Sequence, residues 1–166
     1  MKVIGIIFVV LTTGSLGFRI AGEHRKQCEM LRQLSSALRI LRNEIAFCGT
    51  PLSKAFAMMA VPCNGVLEKI LSNTAREMDR HAWLPPTDAL EQCASLYKNE
   101  MYVKILLDML SCFGSYDVQS QLRSVDWAME KTEEHLCLLE QERQQKGKVY
   151  ETLGICAGVA VSILLI

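Results

Sequence analysis

Residues Leu31–Ile45 read LRQLSSALRILRNEI. Leu31, Leu34, Leu38, Leu41 and Ile45 recur at spacings of three and four, with Arg32, Arg39, Arg42 and Glu44 between them. Side chains at i, i+3, i+4 and i+7 share one face of an α-helix, so this period predicts an amphipathic helix with a single apolar stripe. The pattern begins at about Ile20 and stops near Phe47–Gly49. No alternating run rich in Val, Ile and Thr, the mark of a half-buried strand, occurs in the chain.

C-terminal to that helix the punctuation predicts more helices. Thr50-Pro51 offers a hydroxyl cap followed by proline at the first helical position, opening a short helix Pro51–Ala60 that ends before Pro62. A third helix, about Val66–Arg80, carries Leu67, Ile70, Leu71, Ala75 and Met78 on its apolar side. His81–Pro86 is a loop, since Pro85-Pro86 cannot lie in a helix interior. Thr87 or Asp88 is expected to cap a fourth helix bearing Leu90, Cys93, Leu96 and Tyr97. A fifth, about Glu100–Phe113, presents Ile105, Leu106, Met109, Leu110 and Phe113 and is closed by Gly114. From Ser115 or Asp117 the longest pattern starts. Val118, Leu122, Val125, Met129, Thr132, Leu136 and Leu139 form a heptad seam, and the run continues polar through Gln141–Lys148.

Both ends are apolar. Val3–Phe18, VIGIIFVVLTTGSLGF, has no charge, and neither does Thr152–Ile166, TLGICAGVAVSILLI. As a helix the first is about 24 Å long against a hydrocarbon core of about 30 Å, and extension to Gly22 with Arg19 snorkelling to the interface closes the gap. Arg19, Arg25, Lys26 and Arg32 follow the first run, and Lys131, Arg143, Lys146 and Lys148 precede the second. The positive-inside rule then places the middle of the chain in the cytosol and both termini across the membrane. A cleaved signal peptide is the competing reading of the first run. Gly14 and Gly17, and the GxxxG pair Gly154 and Gly158, would thin the two membrane helices for close helix pairing, with the ordinary glycine content of a membrane helix as the competing reading. The expected organisation is residues 1–22, an N-terminal transmembrane helix; 23–148, a cytosolic helical bundle; and 149–166, a C-terminal transmembrane helix. The fold class is all-α, an antiparallel helical bundle between two transmembrane helices.

Composition removes whole function classes. With 166 residues the chain suits one domain, and at 50% hydrophobic it is not disordered. Eighteen basic residues balance eighteen acidic ones, and only 7% are aromatic, which excludes general nucleic-acid binding. The seven cysteines are odd in number and scattered, as expected of reduced, mostly buried thiols rather than disulfides. No P-loop, GxGxxG, GxSxG, HExxH or CxxC motif is present. His24 and Cys28 share a helix face but lack two further ligands, so no metal is expected. The carboxylates Glu133, Glu134, Glu140 and Glu142 read as a solvated face with Lys131 and Arg143. No catalytic residue and no cofactor are expected.

Certain residues in order carry a resemblance: Gly17-Phe18, Arg32-Gln33-Leu34, Ala37-Leu38, Leu41, Glu44-Ile45, Thr50-Pro51-Leu52 with Ala55, Phe113-Gly114, Asp117, Gln121, and Tyr150–Gly154. The chain resembles the stage III sporulation protein AB family along essentially its whole length. The individual motifs are loose, and their order and total length carry the specificity. The resemblance implies a membrane protein of endospore-forming bacteria, similar to the type II secretion platform proteins (F-like), in the membrane surrounding the forespore. It implies as partners a sporulation secretion-type ATPase in the mother-cell cytosol, other membrane proteins of the same apparatus and the lipid bilayer. The rival reading is a membrane-anchored helical scaffold or coiled-coil receptor unrelated to sporulation, whose heptad seam pairs with a second coil; a homo-oligomer is among the expected associations. Arg32, Gln33, Glu44, Thr50, Pro51 and Asp117 are the candidate partner contacts. Each also has a structural explanation: an ion pair within the bundle, a helix cap or a turn.

Overall fold

The computed structural model describes the backbone of residues 25–114 and 117–165 and the side chains of 25–113 and 117–142. Among the described residues every regular element is helical. The first helix, α1, is α-helical over residues 25–43 and finishes in a wider π-helical turn, Glu44–Cys48. It is followed by α2, Leu52–Ala60; α3, Gly65–Arg80; α4, Pro86–Cys93; α5, Met101–Ser111; and α6, Val118–Leu165. Single 3₁₀ turns, Ser95–Tyr97 and Cys112–Gly114, follow α4 and α5.

Packing divides the chain into two units, Glu29–Leu136 and the combination of Met1–Cys28 with Cys137–Ile166. The first is a helical bundle. Leu31, Leu34, Ala37, Leu38 and Leu41 of α1 are all at most 2% exposed, so the stripe read in the sequence is the inner face of that helix. Phe56 and Met59 of α2, Leu67 and Leu71 of α3, Leu90 of α4, and Val103, Leu106 and Met109 of α5 complete the core. Neighbours in sequence are neighbours in space: α2 packs on α3, α3 on α4 and α4 on α5. Two ion pairs tie α1 to α6, Arg39 to Glu133 at 3.4 Å and Arg42 to Asp126 at 2.6 Å. The α1 number rises as the α6 number falls, so these two helices run antiparallel.

Helix boundaries depart from the expected chemistry in three places. Pro51 is the residue before α2 rather than its first turn, with φ −53° and ψ 140°, and its carbonyl accepts the Ala55 N–H. The Thr50 hydroxyl does not cap α2; it donates to Glu44 Oε2 at 2.6 Å. Neither Thr87 nor Asp88 caps α4: Pro85 precedes the helix and Pro86 opens it, where its missing N–H costs nothing. A third correction concerns Leu96 and Tyr97, assigned above to the fourth helix. That helix ends at Cys93, and Leu96 lies on the 3₁₀ turn, 89% exposed. The Gly49 backbone has φ 58°, a left-handed conformation that costs other residues about 1–2 kcal/mol. Its N–H bonds the Glu44 carbonyl and so closes the π turn.

The α6 seam is narrower than expected. Val125 and Thr132 are fully buried, but they are joined by Ala128 and Ser124, while Val118 is half exposed. The buried positions Ser124, Val125, Ala128 and Thr132 all carry small side chains. Thr132 and Ser124 settle their hydroxyls on the carbonyls of Ala128 and Ser120 in the preceding turn.

Of the other unit, Cys28 is buried and residues 137–165 are helical backbone. The Gln141 side chain meets Cys137 Sγ at 3.6 Å. Among the described residues no helix is long and apolar enough to cross a membrane. The first apolar run, with Gly14 and Gly17, lies outside the described residues. So do the side chains around Gly154 and Gly158 in the second.

Candidate partner-binding site

The six candidate contacts are not one surface. Arg32 and Gln33 lie early on α1, and Glu44 at its far end is about 16 Å further along the axis. Glu44, Thr50 and Pro51 stand together at the turn into α2. Asp117 begins α6, at that same end, because α6 runs antiparallel to α1 and its residue 126 faces Arg42.

Four of the six hold the fold locally. Gln33 is half-buried and ties α1 to the connection between α2 and α3. Its Oε1 accepts the Asn64 N–H at 2.9 Å, at the residue that caps α3, and its Nε2 donates to Glu29 at 3.3 Å. The Gln33 carbonyl also receives the Cys63 thiol at 3.8 Å. Glu44 accepts from Thr50, fastening the end of α1 to the chain that leaves it. Asp117 caps α6: Oδ1 accepts the Gln119 N–H, and Oδ2 the Ser120 N–H and hydroxyl, all within 3.2 Å. The Ser120 hydroxyl and the Gln119 amide hold its carboxyl below the usual carboxylate range. Pro51 and Arg32 are exposed, and the Arg32 carbonyl accepts the Ser36 hydroxyl at 3.2 Å.

The thiols offer little reactivity where their environment is resolved. Burial, then the nearby Glu68 carboxylate, pushes Cys63 up to about 11. Cys93 is also raised by burial, against a hydrogen bond with the Thr74 side chain. A raised thiol is a poor nucleophile, because the thiolate is the reacting form. All six described cysteines are free, but only Cys28 and Cys63 are buried; Cys48, Cys112 and Cys137 are exposed, which corrects the expectation of mostly buried thiols. Glu133 remains on the solvated face and pairs across to Arg39 at 3.4 Å, and Lys131 and Glu134 form the local pair expected, at 2.7 Å.

Surface clefts lie among the described residues of the bundle. One, about 460 Å³, lies between the end of α5 and the start of α6, where Met109, Cys112, Arg123 and Trp127 line it. Arg123 is already engaged with Asp117 at 4.0 Å and with the Ser120 hydroxyl at 3.2 Å. Another, about 280 Å³, lies between α2 and α3 and brings together Lys54 and Arg76. Sequence reading passed over both clefts. Lys54 and Arg76 are 22 positions apart, and only the antiparallel packing of α2 on α3 makes them neighbours.

This is a small helical bundle in which four of the six candidate contacts serve as caps or bridges. The family model for stage III sporulation protein AB matches residues 2–166, and the chain belongs to that family. It is 26% identical to stage III sporulation protein AB of Bacillus subtilis (strain 168) over 171 residues, covering 99% of each chain. Its fold is similar to a solved structure of stage III sporulation protein AB at a TM-score of 0.64 and 22% identity, over 72% of this chain and 98% of that one.

Proposed function

We propose that the protein is a non-enzymatic membrane platform of a secretion-like apparatus needed for endospore formation. The observation that carries this reading is the family match from residue 2 to residue 166, which takes in both terminal apolar runs as well as the bundle. The terminal runs anchor the chain by two spans, with the bundle in the mother-cell cytosol and both termini on the opposite side. Their flanking basic residues support that orientation. The bundle binds the secretion-type ATPase of the apparatus, and the long first and last helices carry its motion towards the bilayer. Other membrane proteins of the apparatus pack on the glycine faces at Gly14, Gly17, Gly154 and Gly158.

Two properties of the bundle support a platform over an enzyme. Polar side chains among the candidate contacts serve caps and bridges, and the buried Cys63 thiol is held protonated. Burial of Val125 and Thr132 within one chain disfavours the receptor reading, in which that seam pairs with a second coil.

The test is binding of the full chain, reconstituted in lipid nanodiscs, to the purified sporulation ATPase. Saturable binding at micromolar concentration, weakened by Glu44→Lys, is expected. Absence of binding at that concentration would sink the coupling role. Protease shaving of a C-terminal tag on sealed membrane vesicles, where only one face is accessible, checks the topology.

A further inference from the structure

The groove between α2 and α3 has a floor of small side chains, Ala57 and Ala75 with Ser53 and Ser72, and rims carrying Lys54 and Arg76. Neither Lys54 nor Arg76 makes an ion pair among the described residues. Asp79 is the one carboxylate in the lining, where it accepts the Ser53 hydroxyl at 3.4 Å, and it leaves an excess of positive charge. On α2 the rim continues as an apolar strip. Lys54, Ala57, Met58 and Val61 stand at i, i+3, i+4 and i+7, hence on one face, and Met58 and Val61 are 45% and 81% exposed.

We propose that this groove docks an acidic amphipathic helix of a partner protein. A floor of Ala and Ser lets a third helix approach closely, since interaxial distance is set by the side chains at the contact. Met58 and Val61 call for apolar side chains at i, i+3 and i+4 on the incoming helix, the usual anchors of a helix in a groove. Lys54 and Arg76, one on each rim, call for carboxylates flanking those anchors. Nucleic acid fits poorly, because Asp79 and the apolar strip would face its phosphates and no aromatic side chain lines the groove. A second copy of this chain is less complementary than a dedicated partner. Its acidic helix α6 has Asp126, Glu133 and Glu134 already paired within the chain and carries Arg123 and Lys131 among them. The inference does not depend on the platform reading.

The test places the photo-cross-linker p-benzoylphenylalanine at exposed Asn73, on α3 beside the groove but outside its lining, in the full-length chain in sporulating cells, and maps the cross-linked segment by mass spectrometry. A helical segment of net negative charge is expected, with yield falling at least tenfold in the Lys54→Glu/Arg76→Glu variant. An adduct on a basic or extended segment, on lipid or on α6 of a second copy overturns the proposal, as does no adduct or indifference to charge reversal. A second arm keeps folding out of the question. Two synthetic amphipathic helices, with identical Leu anchors and either Glu or Lys flanks, are titrated against the unaltered chain in nanodiscs. The Glu helix is expected to bind at least tenfold tighter, and equal binding overturns the proposal.

Discussion

Gln33 shows how a residue on a polar face comes to hold a bundle together. Its carboxamide oxygen takes the Asn64 N–H at the start of α3, a donor that helix geometry leaves without an internal partner. Gln33→Ala is therefore expected to lower bundle stability by about 1 kcal/mol, in the range of a lost cap, measured by urea unfolding. A residue kept only for partner contact would leave the unfolding midpoint unchanged. Asp117 makes a pH prediction. Its folded pKa lies below the unfolded value, so its contribution is complete above the ordinary carboxylate range and is lost as pH falls through the folded value. Asp117→Asn keeps an acceptor at the cap but has no proton to bind, so the acid-side loss of stability should be smaller in the variant. Unfolding midpoints compared between about pH 2 and pH 6 check this.

At the scale of elements, α6 separates a bundle from a coiled coil. Thr132 occupies a seam position, fully buried, with its hydroxyl on the Ala128 carbonyl at 2.7 Å. Thr132→Leu would strengthen a seam that pairs with a second chain, as leucine favours coiled-coil cores. In the bundle the site is already filled, and the same change should cost about 1–3 kcal/mol by overpacking. A thermal melt at two protein concentrations distinguishes these outcomes. The Arg42–Asp126 and Arg39–Glu133 pairs cross from α1 to α6 but remain about half exposed or more. Water screens them, so a double-mutant cycle on Arg42 and Asp126 should return only about 0.2–1 kcal/mol of coupling. Burial of the leucine stripe, not these pairs, is expected to supply most of the stability that α1 brings to the bundle.

At the scale of the whole molecule, burial is visible in thiol chemistry. Cys48, Cys112 and Cys137 should react with a maleimide in the native protein near neutral pH, and Cys28 and Cys63 should react only on unfolding. Mass spectrometry of labelled peptides reads the pattern directly, and native labelling of Cys63 would contradict the fold around α2 and α3. Alkaline pH tests the same core. Cys63 rises from 9.0 to about 11, and Tyr102, buried and beside Glu100, rises from 10.0 to about 12. Both bind protons more tightly folded than unfolded. Their stabilising effect is thus complete below the unfolded values and drains away as pH climbs through the folded ones. Unfolding midpoints should fall between about pH 9 and pH 12, and Cys63→Ala should make the first part of that fall shallower.

The helices were legible because amphipathic periodicity is a local property, repeated often enough in Leu31–Ile45 and Val66–Arg80 to outweigh any single residue. The order of the elements and the stop at Gly49 followed from the same kind of signal. Caps were less legible. Thr50 looks like a cap beside Pro51, but a hydroxyl takes whichever acceptor lies closest, and in the folded chain that is Glu44. The family was also legible, since residue order survives where individual motifs are loose. What only the tertiary structure decided was which distant side chains meet. Gln33 reaches the start of α3, Arg42 reaches Asp126, and Lys54 and Arg76 come to flank one groove. Sequence periodicity tells each helix which face to bury; which neighbour covers that face, and what is left standing at its edges, depends on the packing of the whole bundle.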